Sequence, residues 1–210
     1  RFESEVTTFQ AGGAVQTADG KTIQFRVELT MRREFFETSR TSLRAGDAAT
    51  DPLVINFGGA AAELQDTRFA FDLNADGQSD EIPTLAPGSG FLVFDRNGDG
   101  VAPDGSERFG PSTGDGFAEL AQYDADGNRW IDEADPIFSQ LRLWEMGPNG
   151  PGALTPLLDR NVGAIALDRV QTPFSLTDSA NRSLGQILAS GIYLGEDGSA
   201  GVVQQINLSA

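Results

Sequence analysis

The chain has 210 residues (22.3 kDa), of which 39% are hydrophobic and 22% charged, enough apolar material for a real core and too much for a disordered chain. Fifteen basic against 31 acidic residues leave a formal charge of −16, which disfavours nucleic acid and anionic membrane as partners and favours cations. Cysteine and histidine are both absent, excluding disulfide scaffolds, Cys/His zinc sites, Ser-His-Asp triads and thiol nucleophiles.

In chain order, residues 1–35 read as a long β-hairpin. Ile23, Phe25, Val27, Leu29 and Met31 alternate with polar neighbours, the period of a half-buried strand. Ala18-Asp19-Gly20 supplies the turn, and the partner strand runs from about Phe2 to Val15. Residues 36–50 are polar and read as loop. Three short apolar runs follow, Leu53–Phe57, Phe69–Leu73 and Phe91–Phe94, each ending in turn residues or acids. Phe117–Tyr123 and Pro136–Trp144 carry apolar residues at helical spacing, and Gly147–Gly152 reads as a loop. The tail returns to β pattern at Val162–Leu167, Phe174–Leu176, Ile187–Leu194 and Val202–Leu208, with a turn at Glu196-Asp-Gly-Ser. No apolar run approaches the ~20 residues of a membrane span. The chain opens at Arg1 with neither Met nor signal sequence and reads as a piece of a longer protein.

The acidity is concentrated. Residues 1–50 balance seven acids with seven bases, whereas residues 72–135 hold fifteen acids against Arg96, Arg108 and Arg129 alone. Carboxylates crowded in this way repel one another unless something neutralises them. They recur beside glycine at fixed spacings. Asp72-x-Asn74-x-Asp76-Gly77-Gln78-x-Asp80 is the first such loop, and Asp95-x-Asn97-x-Asp99-Gly100-Val101 the second. Asp124-x-Asp126-x-Asn128-Arg129-Trp130-x-Asp132-x-x-Asp135 fills positions 1, 3, 5, 7, 9 and 12 of a twelve-residue loop. Ca²⁺ takes about six to eight oxygens, and alternate residues of a tight turn converge theirs on one point. Glycine at position 6 permits the bend, and the carbonyls of Val101 and Trp130 at position 7 join the ligands. Glu107 closes the second loop after a one-residue insertion, and Asp135 closes the third, followed by a helix over Pro136–Trp144. The first loop has Pro83 at position 12 and relies on its first nine residues. A single such motif can be an ordinary Asx turn; three within 64 residues point to two or three calcium ions.

These loops stand in a longer ordered run: Asp51-Pro-Leu-Val-Ile-Asn-Phe, Phe71-Asp-Leu-Asn-Ala-Asp-Gly, Gly90-Phe-Leu-Val-Phe-Asp-Arg-Asn-Gly-Asp-Gly, Gly105-Ser-Glu-Arg-Phe-Gly, Gly116-Phe-Ala-Glu-Leu-Ala-Gln-Tyr-Asp and Ile131-Asp-Glu-Ala-Asp-Pro-Ile-Phe-Ser-Gln-Leu-Arg-Leu-Trp. The run, residues 51–145, resembles a calcium-binding module of bacterial RTX-type and large secreted proteins, including the self-processing module of Frp-type iron-regulated proteins. The resemblance implies calcium loops that act as folding switches outside the cell. It also implies a cleavable Asp-Pro bond ahead of the first loop, here Asp51-Pro52. An Asp side chain can attack its own carbonyl, and proline nitrogen leaves once protonated. Relatives continue from that bond with an Asp-rich loop, whereas this chain reads Asn56-Phe-Gly58-Gly-Ala60 and offers one amide in its place.

The expected fold is α+β: mainly antiparallel β, sandwich-like, with an inserted EF-hand-like calcium region containing short helices. Its parts are an N-terminal hairpin segment (1–50), the calcium region (51–146) and a C-terminal β segment (147–210) packing with the first. The expected function is a calcium-stabilised structural or interaction module of a secreted or surface bacterial protein, its partner another protein or a surface polysaccharide. The alternative is a calcium-triggered autoproteolytic module cutting at Asp51-Pro52. A glycosidase built on two of the carboxylates is disfavoured, because calcium spacing already accounts for them.

Overall fold

The computed structural model describes residues 2–16, 21–36, 51–59, 61–111, 113–147 and 150–209. The expected hairpin turn at Ala18-Asp19-Gly20, residues 37–50 of the expected loop and Pro148-Asn149 lie outside them. Strands β1 (Phe2–Gln16) and β2 (Thr22–Phe36) pair antiparallel along their whole length, Phe2 opposite Phe36 and Gln16 opposite Thr22. Their inner face buries Val27, Leu29 and Met31 of the alternating set, with Phe9 of the partner strand, and leaves Ile23 and Phe25 half-buried.

The nine-stranded antiparallel sheet is assembled from strands far apart in sequence. Strand β3 (Leu53–Asn56) lies between β6 (Ser89–Phe94) and β13 (Ala200–Leu208). Beyond β6 come β8 (Leu141–Gly147) and β9 (Gly150–Pro156). Beyond β13 come β12 (Ser183–Leu194), β10 (Ala164–Ala166) and β7 (Trp130–Ile131), with β11 (Val170–Thr177) also paired to β12. The sheet therefore draws on both sides of the boundary expected at residue 146. A separate hairpin joins β4 (Leu64–Phe71) to β5 (Asp80–Leu85), Phe71 opposite Asp80.

Both faces of this sheet are covered, so its strands read as continuous apolar runs rather than alternations. On one face Val54, Phe91, Val93, Trp144 and Ile206 pack with the β1–β2 ribbon and the β4–β5 hairpin. On the other, Leu53, Ile55, Leu92, Leu141, Leu143 and Val203 pack with Phe109, Phe117 and Leu120. Helix α1 (Gly116–Leu120) supplies the last two, capped by Asp115, whose side chain accepts from Ala118 N at 3.0 Å. It runs into a 3₁₀ turn at Ala121–Tyr123, as the helical spacing there leads one to expect.

Two expectations are corrected. The helix read over Pro136–Trp144 is a 3₁₀ turn at Phe138–Gln140 followed by strand β8. Leu141 and Leu143 bury on one face and Trp144 on the other, so a period of two governs where a period near four was read. The third loop thus follows a short helix and a 3₁₀ turn and leads into a 3₁₀ turn and a strand, not into the helix expected after it. Among the described residues α1 is the one α-helix, so α+β narrows to antiparallel β. No helix among them is long and apolar enough to cross a membrane.

Candidate metal centre

Each of the three acidic loops folds on its own carboxylates. In the first, Asp72 Oδ1 accepts from Asp76 N at 3.0 Å and Oδ2 from Gly77 N at 2.8 Å. Asn74 Oδ1 also accepts from Asp76 N (3.1 Å), and Asp76 Oδ1 from Gln78 N (2.8 Å). In the second, Asp95 Oδ2 accepts from Gly100 N (3.3 Å), Asn97 from Asp99 N (2.9 Å) and Asp99 from Val101 N (2.9 Å). In the third, Asp124 accepts from the amides of Gly127, Asn128 and Arg129 at 2.9–3.2 Å, and Asn128 from Trp130 N at 2.7 Å. Short Asp and Asn side chains reach their own backbone a few residues on, which is why these residue types set the turns. Position 6 is left-handed in all three: Gly77 (φ 87°), Gly100 (φ 74°) and Arg129 (φ 70°). Arginine therefore adopts the conformation that glycine supplies in the other two loops.

The three differ in what closes them. Asp80 begins β5 and leads away from the first loop. In the third, Asp135 is buried and folds back over the loop, accepting from Ala125 N (2.7 Å) and Asp132 N (3.1 Å). It brings carboxylate oxygens of Asp124, Asp126 and Asp135 within 4.8 Å of one another. Asp132 accepts from Ala134 N and holds the return turn.

In the second loop Asp95 and Glu107 are 4% and 7% exposed, and Asp95 Oδ1 and Glu107 Oε2 have no hydrogen-bond partner. Glu107 ends a 3₁₀ turn at Gly105–Glu107 that brings it to the backbone of Arg96 in the second loop. Burial raises its pKa; a hydrogen bond from the Arg96 backbone opposes this, and the charges of Asp95, Asp99 and Asp104 add to it. Buried carboxylate oxygens left unpaired are costly. The donors in this loop are all hard oxygens, which suit Ca²⁺ or Mg²⁺ rather than a soft transition metal.

Beside these loops lies a residue that spacing alone did not single out. Arg108 is 4% exposed, and its three guanidinium nitrogens lack hydrogen-bond partners. It sits against the rings of Phe71 (4.0 Å), Trp144 (4.3 Å) and Phe91 (4.5 Å). Burial pushes it well below the ordinary arginine value, against the charge of Asp104. The available signal was its rarity, as one of three cations among fifteen acids.

Asp51, two residues before the start of β3, is 5% exposed with Oδ1 unpartnered. Burial raises its pKa, a hydrogen bond from Gln205 lowers it, and nearby Asp115 raises it further. Asn56, at the head of the sequence that replaces the expected Asp-rich loop, is buried in β3 and accepts from Ser89 Oγ at 3.2 Å.

The family model of the SPM domain matches residues 53–209, a span that holds all three loops and begins just past Pro52. The chain is also similar to the iron-regulated protein FrpA of Neisseria meningitidis serogroup C, 27% identical over 176 residues. The match covers 76% of this chain and 15% of that protein, so the chain spans a small part of its relative's length.

Proposed function

The chain belongs to the SPM domain family, and on that footing we propose that it is a calcium-binding, calcium-stabilised module of a secreted or surface bacterial protein. It takes two or three Ca²⁺ ions and acts as a structural or interaction unit toward another protein or a surface polysaccharide. The observation that carries this reading is the buried pair Asp95 and Glu107, each with an oxygen that no protein donor reaches. A hard cation between them supplies what the fold does not. The third loop, with Asp124, Asp126 and Asp135 converging, offers a second place for an ion. The secreted or surface setting rests on the likeness to the iron-regulated relative. Loops of this kind outside cells bind at about 10⁻⁴–10⁻³ M.

Native mass spectrometry of the intact chain, titrated with Ca²⁺ and with Mg²⁺ as control, tests the proposal. Two or three calcium-specific adducts are expected, and none at millimolar Ca²⁺ overturns it. Melting curves then assign ligands. Asp99→Ala and Asp124→Ala are each expected to lower Tm more in calcium than in chelator, where only the turn bonds to Val101 N and to Gly127, Asn128 and Arg129 N are lost; equal losses in both conditions sink the assignment.

A second reading, self-cleavage at Asp51-Pro52, is favoured by the burial of Asp51 with one carboxylate oxygen unpartnered. In that reaction an Asp51 carboxylate oxygen bonds to the Asp51 carbonyl carbon and the bond to Pro52 breaks. The proline nitrogen leaves with the proton that the Asp51 carboxyl gives up, and water opens the cyclic anhydride left behind. Incubation with calcium then yields two fragments meeting at that bond, and Asp51→Asn abolishes them. An intact chain after prolonged incubation removes this reading and leaves the first untouched.

A further inference from the structure

The segment 104–108 touches the first and second loops at once, through a different residue for each. Gly105 N donates to the carbonyl of Asp72, the first residue of the first loop, at 2.8 Å. The approach is so close that a Cβ at Gly105 would collide with the Leu73 carbonyl oxygen. Two residues on, Glu107 keeps one carboxylate oxygen unpartnered and accepts a hydrogen bond from the backbone of Arg96, the second residue of the second loop. Arg108 points the other way, into the box of Phe71, Phe91 and Trp144. Phe71 is the residue before Asp72, and Phe91 lies in β6, which delivers Asp95. The guanidinium thus clamps the stems of both loops, and a backbone bridge between Arg108 and Val93 fixes the segment to β6.

We infer that residues 104–108 form a strap that couples the first two loops, so that a cation held by one raises the affinity of the other, with Arg108 as the positioning residue and the third loop outside the coupling. The inference rests on the calcium reading given above. Its physical basis is shared geometry. Pulling Glu107 onto an ion at Asp95 and Asp99 sets Gly105, and through its hydrogen bond the Asp72 peptide. Asp72 in turn holds the amides of Asp76 and Gly77, the far side of the first loop. The third loop shares none of these contacts; its closing residue, Asp135, bonds to its own amides at Ala125 and Asp132.

Coupling between sites is reciprocal and amounts to about 5- to 150-fold in affinity. The test is a Ca²⁺ titration followed by amide NMR, with Gly77, Gly100 and Gly127 reporting the three loops separately. In the unaltered chain Gly77 and Gly100 are expected to share a midpoint. In Asp76→Ala the Gly100 midpoint is expected to rise at least about fivefold. Asp99→Ala should do the same to Gly77, and Gly127 should keep its midpoint in both. Arg108→Met should separate the Gly77 and Gly100 midpoints; should it fail to fold, the two loop variants decide alone. If Gly100 titrates unchanged in Asp76→Ala while still moving with calcium, the strap is overturned and the calcium reading stands. If none of the three amides moves by millimolar Ca²⁺, both fall together.

Discussion

Arg129 shows how much a loop can depart from its expected residue and still close. A non-glycine side chain in the left-handed region costs roughly 1–2 kcal/mol, and Arg129 meets this with φ 70° and an exposed ion pair to Asp168. Exposed pairs of this kind contribute little, about 0–1 kcal/mol. Arg129→Gly is therefore expected to stabilise the fold by about 1 kcal/mol in urea denaturation with chelator present. A loss of stability would mean that the ion pair outweighs the strain. Asp51 permits a test by pH. Its folded-state pKa is raised, first by burial, so the folded state holds its proton more tightly than the unfolded state does. Stability from this group is then full below the ordinary carboxylate range and falls as pH rises through the raised value. Asp51→Asn, measured in chelator, should be more stable than the parent at neutral pH and lose that advantage as pH drops below about 4. A constant difference across pH would place the effect elsewhere.

At the level of elements, β8 carries the largest departure from the sequence reading. Ile137, Leu141 and Trp144 fit a helical face, yet Leu141 and Leu143 face one core and Trp144 the other. The strand pairs with β6 on one side and β9 on the other, so its backbone groups are satisfied by neighbours invisible in the local sequence. Leu143 is fully buried, and Leu143→Ala should cost about 2–5 kcal/mol, with or without calcium. A loss below about 1 kcal/mol would mean the site collapses around the cavity. The β1–β2 ribbon is a contrasting element. Among the described residues it has no further strand on either edge, and it meets the rest through its inner face and a few polar ties such as Thr7 to the Pro173 carbonyl and Ser175 N to Glu5. Two strands alone are marginal in water, so its amides should exchange with solvent faster than those of β12 and β13 at the sheet centre. Equal protection would make ribbon and sheet one cooperative unit.

Across the whole molecule the uneven charge governs the response to salt. Most of the −16 lies in the loops between residues 72 and 135. Without cations these carboxylates repel one another, and added salt screens them over a Debye length of about 8–10 Å. Raising NaCl to about 0.5 M should therefore lift the melting temperature of the calcium-free chain more than that of the calcium-loaded chain. An equal rise in both would mean that calcium does not neutralise this surface.

The sequence by itself determined the strand-rich ends, the inner face of the first hairpin and the three turns. Alternation and Asx chemistry are local, acting within a few residues. The position along the chain of the Asp and Asn residues that set those turns was legible for the same reason. Tertiary structure alone decided that β3 joins β6 to β13, that Pro136–Trp144 ends in a strand, and that Arg108 enters a box drawn from β4, β6 and β8. It also decided which carboxylates are buried with an oxygen unpaired, Asp95 and Glu107. Pairing partners and burial depend on segments some fifty to a hundred and fifty residues apart, and no local pattern records which distant strand will cover a given face.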